Sequence, residues 1–351
     1  MTKIGITGCG GFIGGHLYDA YRRSGYSVSQ IDLNSKEPIE CDIIYHCAGV
    51  NRPETDDGYK QNIQMMQTLI QRKRQDSKVI FLSSTQAELN NAYGISKLQA
   101  ERILGDTSHW TILRLPNVFG ARAKPYYNSV VATFCYQTAN HQNLTINNPE
   151  KELDLIWIND LVEYLMKISI SNDFDRSLIL SSEIDHIESI TVAGLASLIS
   201  ELAENISAGY AESNEGSFRW KMETTLLYYN QTSPKRRLNV LKDPRGEFCE
   251  LLHTNSGQFS YLKCAVGEER GIHYHTAKYE RFYVIEGEAI FKLQKTDGSF
   301  EYHEISSDQP TELITLPFQI HSIRNVGNSD LIVAIWANEV FNPVKPDTYK
   351  E

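Results

Sequence analysis

Residues 3–17 read KIGITGCGGFIGGHL. A short apolar run ends in glycines, and a segment with helical spacing follows at once. Gly8, Gly11 and Gly14 stand three apart. Between a strand and a helix, such glycines let the main chain approach a pyrophosphate, whose charge the helix N-terminus favours. A tight turn without a ligand would use the same glycines. The strand–turn–helix setting favours a dinucleotide, with Gly8, Gly11, Phe12, Ile13 and Gly14 as the loop that holds it.

The pattern continues outward. FIGGHLYDAYRRSG (12–25) puts Ile13, Leu17 and Tyr21 on one helical face, and Gly25 stops it. YSVSQID (26–32) and DIIYHCAGV (42–50) read as strands, QNIQMMQTLIQRKRQ (61–75) as a helix and KVIFLSST (78–85) as a strand. NAYGISKLQAERILG (91–105) reads as a helix, and WTILRLPNVFG (110–120) as a strand with its turn. This alternation predicts an α/β Rossmann-like domain, a parallel sheet covered on both faces. Only NSKEPIEC (34–41) separates the second strand from the next. A helical crossover needs about a dozen residues or more, so the usual third strand is expected to be missing or reduced. Asp32 ends the second strand, where a carboxylate would bind the adenosine ribose hydroxyls and favour NAD over NADP. A turn aspartate is the other reading.

The bulk numbers agree with two domains. The chain has 351 residues, 41% hydrophobic and 22% charged, with a formal net charge of −10. That charge disfavours nucleic acid or an anionic membrane as partner. The six cysteines are scattered with no CxxC pair, which reads as reduced thiols in the cytoplasm. The start does not read as a signal peptide. No apolar run approaches the ~18 residues of a membrane helix.

Residues 186–230 read as partly helical. SPKRRLNVLKDPRGEF (233–248) then breaks the helical period. Short β-rich runs follow: FSYLKCAV (259–266), ERFYVIEG (280–287), EAIFKLQK (288–295), ELITLP (312–317) and DLIVAIWA (330–337). They predict an all-β sandwich or barrel. The expected domains are 1–235 and 236–351.

GEERGIHYHTAKYERFYVIEG (267–287) lies in the β-rich part and satisfies Gly-x5-His-x-His-x4-Glu-x6-Gly. On a strand, His273 and His275 share a face. Glu280 follows on the next strand, and His321 would be a fourth ligand. Three imidazoles and a carboxylate suit zinc, iron, nickel or manganese. Surface histidines are the bland reading, and His303 is a rival ligand.

Tyr93 and Lys97 lie one helical turn apart. A lysine ammonium would lower the phenol's pKa toward neutrality, so that it can exchange a proton with substrate. Thr85 would hold the substrate oxygen, and a nicotinamide would carry the hydride.

HCAG (46–49), Asn62, SST (83–85), YGISK (93–97) and RLPNVFG (114–120) resemble, in order, the extended short-chain dehydrogenase/reductase family over about residues 1–230. The resemblance implies Thr85, Tyr93 and Lys97 as catalytic, and Ala48, Asn62 and Lys97 as cofactor contacts. It implies Asn117 and Asn128 as substrate contacts and Arg114 as structural. Dehydratases of that family carry Asp-Glu after the threonine; here Gln86 and Ala87 follow. Residues 240–345 resemble the cupin jelly roll. The second cupin motif, PxGxxHxxxN, is contracted to Pro317-Phe-Gln-Ile-His321 with Asn325 in place.

The pairing of these domains resembles the bifunctional capsular-polysaccharide UDP-4-ketosugar enzymes. AGVNRPE (48–54), AYGISKLQAE (92–101), KPYYNSVVATFCY (124–136), DPRGEF (243–248) and WANEVFNPVKPDTY (336–349) carry the likeness. It implies a UDP-sugar substrate, NADPH, zinc and a homodimer. Asp32 would instead permit NADH. It also implies C3 epimerisation of a UDP-2-acetamido-2,6-dideoxy-4-hexulose, followed by C4 reduction to UDP-6-deoxy-N-acetyl-talosamine. Lys292, His303 and Tyr261 are candidates for the epimerising base. Two rival readings remain: a reductase or 4-epimerase whose cupin only dimerises, and a nucleotide-sensing regulator.

Overall fold

Ile43, Ile44, Tyr45 and His46 are all buried, and a strand with no exposed side must have layers above and below it. The computed structural model, which describes residues 2–170, 175–212, 214–230, 237–295, 298–344 and 346–350, contains those layers. The chain divides into two units: Met1–Glu201 with Lys221–Thr232, and Leu202–Trp220 with Ser233–Glu351. The expected boundary at 235/236 lies outside the described residues.

In the first unit, β1 (Lys3–Thr7), β2 (Ser27–Ile31), β3 (Ile43–His46), β4 (Lys78–Ser84) and β5 (Trp110–Leu115) are parallel. β6 (Asn117–Phe119) and β7 (Glu152–Trp157) begin a small separate sheet, β8 (Ser177–Ile179) returns to the main one, and β9 (Ile187–Thr191) completes the small one. The main order is β2-β1-β3-β4-β5-β8. Among the described residues no strand lies beyond β2, as the short 34–41 connection predicts; Ile39 makes a single bridge to Lys73 instead.

Helices cover both faces. α1 (Phe12–Arg23), α2 (Lys60–Arg72), α3 (Ala92–Gly105), α4 (Val130–Ala139) and α5 (Ile158–Ile170) belong to this unit. Leu17 and Tyr21 of α1, with Leu161 and Leu165 of α5, pack on Ile4, Ile6, Tyr45, Ile80 and Leu82. Met66 and Leu69 of α2, with Ala100 and Leu104 of α3, pack on Ile44, Val79, Phe81 and Ile112. Odd and even strand residues thus feed different cores, which is why these strands are apolar without alternation. The helical character expected over 186–230 resides in α6 (Val192–Ala208) and α7 (Phe218–Tyr228).

The second unit contains β10 (Tyr210–Ala211), β11 (Val240–Asp243), β12 (Gly246–Thr254), β13 (Gly257–Cys264), β14 (Glu269–Tyr274) and β15 (Glu280–Glu286). It continues with β16 (Glu288–Gln294), β17 (Phe300–Ser306), β18 (Glu312–Thr315), β19 (His321–Asn325), β20 (Leu331–Ala337) and β21 (Tyr349–Lys350). One sheet runs β10-β12-β13-β20-β15-β18, with β11 on β12; the other runs β17-β16-β19-β14-β21. The sets β13-β20-β15-β18 and β17-β16-β19-β14 draw alternately on the chain, the order of a jelly roll. Phe282 of one sheet meets Phe291 of the other edge to face at 5.2 Å. Both belong to a core with Val284, Leu293 and Ile323.

Candidate functional site

The first unit holds a cleft of ≈ 920 Å³ at the N-terminus of α1. Gly14 allows the close approach there: a β-carbon would stand 2.4 Å from the Gly8 carbonyl oxygen. Gly11 is the N-cap and offers no side-chain cap, so the first amides of the helix face the cleft with nothing of their own to bind. This cradle fits a dinucleotide pyrophosphate. Thr7 supports its far wall. Its hydroxyl accepts from the Cys47 and Ala48 amides, at 3.1 Å each, and donates to His46 Nδ1 at 2.9 Å. Burial pulls the His46 imidazole down to about 3, so it stays an acceptor.

Gly8, Gly11, Phe12, Ile13, Gly14, Ala48, Thr85, Tyr93, Lys97, Asn117 and Asn128 all line this cleft. Asp32 and Asn62 are not among its lining residues. The Asp32 carboxylate accepts from the Asn34 amide at 2.8 Å. The Asn62 amide is taken up by Val50, at 2.7 and 3.1 Å, and by the Ser96 hydroxyl at 3.0 Å. Asn62 therefore holds the segment after HCAG to α3 from behind.

Tyr93 and Lys97 depart from the sequence expectation in their electrostatics. Burial pushes the Tyr93 phenol up to about 12, against a hydrogen bond with Ser84 that lowers it. Burial also pulls Lys97 down to about 8. Lys97 Nζ lies 6.0 Å from the Tyr93 ring centre and donates to the Leu82 carbonyl at 3.0 Å. In this structure desolvation, and not the ammonium, governs the phenol. Ser84 was not singled out in the sequence; the hydroxyls in SST could have suggested it.

The turn carrying Thr85 is fixed from two sides. Gly94, in the first turn of α3, lies so close beneath it that a β-carbon would stand 2.1 Å from the Gln86 carbonyl oxygen. Arg114 donates to Glu101 at 2.7 and 3.1 Å and to Glu88 at 3.0 Å. It thereby links α3, which carries Tyr93 and Lys97, to the end of the Thr85 turn. At the other end of the cleft stand Lys124 and Lys151, with Asn117, whose amide donates to the Asp154 carbonyl at 3.2 Å. Asn128 sits in the left-handed region, φ 59°.

In the second unit, His273, His275, Glu280 and His321 each turn one ligand atom to a common point, all within 4.8 Å of one another. His273 pairs with His321 across β14 and β19. Two imidazoles are committed through Nδ1: His321 donates to the Gln319 carbonyl at 3.0 Å, and His275 to the Asp347 carbonyl. Their Nε2 atoms both lie 3.3 Å from Glu280 Oε2. With neutral rings, lone pairs therefore face a carboxylate. His321 Nε2 is buried without a hydrogen-bond partner. Burial, followed by His321 and His275, pulls His273 down to about 4 and keeps it neutral. A divalent cation at the centre satisfies all these groups, and main-chain acceptors on the far ring nitrogens are what imidazole ligands require. The residues fit a metal such as zinc.

The contracted motif is accommodated by Phe318, which takes the left-handed conformation, φ 62°. Its amide donates to the His275 carbonyl at 2.6 Å. The other candidates lie elsewhere. His303 is paired with Glu301 at 3.3 Å and half exposed. Leu293 is the partner of His321 across the sheet, so its neighbour Lys292, opposite Ser322, points to the other face. Tyr261 likewise faces away from the core, toward Glu247 at 3.4 Å. None of the three belongs to the metal cluster: strand parity turns Lys292 and Tyr261 to the other face, and His303, opposite Phe291, sits on the edge strand β17 away from the four ligands.

Residues 35–175 match the NAD dependent epimerase/dehydratase family, and residues 241–349 match the polysaccharide biosynthesis C-terminal domain. The chain is 36% identical over 366 aligned positions to UDP-2-acetamido-2,6-beta-L-arabino-hexul-4-ose reductase from Pseudomonas aeruginosa, covering 99% of this chain and 98% of that protein. The crystal structure of capsular polysaccharide assembling protein CapF from Staphylococcus aureus superposes with a TM-score of 0.82 at 28% identity, covering 99% of each chain. The UDP-glucose 4-epimerase of Thermotoga maritima shares the fold over 65% of this chain, with a TM-score of 0.53 at 19% identity. Among the described residues no helix is long and apolar enough to cross a membrane.

Proposed function

Because the chain belongs to the family of two-domain UDP-ketosugar reductases of capsular-polysaccharide synthesis, we propose that it acts twice on one UDP-linked 4-ketosugar. The second unit, a zinc cupin, inverts C3; the first then reduces the C4 ketone. One observation carries this reading: the same chain holds a Thr85–Tyr93–Lys97 cleft and a separate His273–His275–Glu280–His321 cluster.

The order follows from the chemistry. A C4 ketone acidifies the hydrogen on C3, and inversion passes through an enolate. Reduction abolishes that acidity, so inversion comes first. In the second unit, His273, His275, Glu280 and His321 would hold the metal, which supplies Lewis acidity toward the ketone oxygen. In the first, the glycine loop and Ala48 would hold NADPH, which supplies the hydride. Thr85 and Ser84 orient the C4 oxygen, and Tyr93 gives it a proton. Lys97 carries the positive charge that favours this transfer. Lys124 and Lys151 suit the diphosphate of the UDP group. The substrate proposed is UDP-2-acetamido-2,6-dideoxy-hexos-4-ulose, and the product UDP-6-deoxy-N-acetyl-talosamine. The reading includes a homodimer, a cytoplasmic location and a domain boundary near residue 235.

Turnover in deuterated water, followed by NMR of the product and metal analysis of the protein, tests this. Deuterium at C3 with stoichiometric NADPH oxidation is expected. Reduction without C3 exchange would leave a reductase whose second domain only assembles the protein; exchange without NADPH oxidation would remove the reductase.

A further inference from the structure

The imidazoles of the His273–His275–Glu280–His321 cluster are not oriented alike. His321 is held by the carbonyl of Gln319, two residues away, and His273 by main chain at Gly271. His275 is held by the carbonyl of Asp347, 72 residues further along the chain. The reason is local. β14 ends at Tyr274, so His275 already belongs to the turn, and its Nδ1 meets the Asp347 carbonyl instead of one beside it in sequence.

The Asp347 carboxylate fixes that carbonyl in place. One oxygen accepts from the Thr276 amide at 2.8 Å and the Thr276 hydroxyl at 2.6 Å; the other accepts from the Ala277 and Lys278 amides, each at 2.8 Å. Four donors from consecutive residues clamp a single side chain. Beyond it, β21 pairs with β14, His273 opposite Lys350 and Tyr274 opposite Tyr349. The Tyr274 and Tyr349 rings stack at 5.3 Å. The tail is otherwise peripheral: Val344 is 92% exposed and Tyr349 45%.

We infer that Asp347 is a positioning residue of the metal centre: the C-terminal tail docks its carboxylate on the 276–278 turn, and its carbonyl selects the His275 tautomer that leaves Nε2 free to ligate. The inference rests on the metal reading above. It assigns the tail a place in the site although, among the described residues, no tail side chain belongs to the cluster.

The test uses the full chain and two variants, Asp347→Ala and Thr276→Val, with zinc itself as probe. Chelator competition should show zinc held about 10–100-fold more weakly in Asp347→Ala, with a smaller loss in Thr276→Val, which removes one of four donors. NADPH binding by the first unit should not change. In metal-free protein labelled with nitrogen-15 in histidine, and held well above the imidazole range, the wild type should show His275 as a single Nδ1–H tautomer. Asp347→Ala should show a mixture, which a tail serving only to stabilise the fold would not produce. Wild-type zinc affinity together with an unchanged tautomer in Asp347→Ala overturns the inference. A wild type that binds no zinc sinks the metal reading alone, because the metal-free tautomer still decides this one.

Discussion

Lys97 donates to the Leu82 carbonyl at 3.0 Å from a position only 5% exposed. Burial lowers its pKa from 10.5 to about 8. Below pH 8 the ammonium is charged in both folded and unfolded chains, and its desolvation weakens the fold in full. Between about 8 and 10.5 the folded chain releases this proton while the unfolded chain keeps it. The unfolded state then binds more protons, so stability rises with pH. Urea titrations of the wild type and Lys97→Met should therefore show the wild type gaining on the variant across this window, by about 3 kcal/mol in total. A constant difference would contradict the assignment.

On the proposed mechanism the same lysine should set the pH dependence of ketone reduction. Tyr93, near 12, stays protonated across the working range and remains a proton donor. The rate should be flat below pH 8 and fall above it as Lys97 loses its charge. Single-turnover NADPH oxidation between pH 6 and 10 measures it.

Tyr93→Phe removes the proton donor and leaves the second unit untouched. Reduction should fall by about 10²–10⁴-fold, while C3 deuterium exchange continues at the wild-type rate. If both fall together, the two steps are not divided as proposed.

Arg114→Met should destabilise the first unit by about 3–5 kcal/mol, because the carboxylate of Glu101, 6% exposed, would lose the guanidinium and keep only the Ser83 hydroxyl. Adding Glu101→Gln should recover much of that loss. Chemical denaturation of the two variants decides whether the pair or the arginine alone matters.

His273→Ala, or prolonged chelation of the wild type, should abolish metal content and C3 exchange together. NADPH titration by fluorescence should remain unchanged, since its cleft is lined from the first unit.

Much of the fold was legible because its signals are local. The glycine spacing at Gly8–Gly14, the helical face of Leu17 and Tyr21 and the missing third strand each follow from a few adjacent residues. The candidate metal cluster was legible because His273, His275 and Glu280 fall within one short stretch of sequence. What escaped the sequence depends on distant chain or on burial. Asp347 reaches His275 only through the fold. The outward parity of Lys292 and Tyr261 depends on cross-strand register, which neighbouring residues do not encode. The raised pKa of Tyr93 reflects desolvation that the YGISK spacing cannot express. Asn62 and Asp32 occupy the expected segments, yet their side chains are committed to neighbouring residues.

The 72-residue interval between His275 and the carbonyl that orients it also fixes a sequence in time. Domains fold from the N-terminus during synthesis, which proceeds at roughly 5–20 residues per second. The first unit can therefore fold while the candidate metal cluster still waits, for several seconds, on the arrival of Asp347. A chain ended before Asp347 would keep its first unit and lose the carbonyl that orients His275. The order of synthesis thus enters the assembly of the candidate metal site.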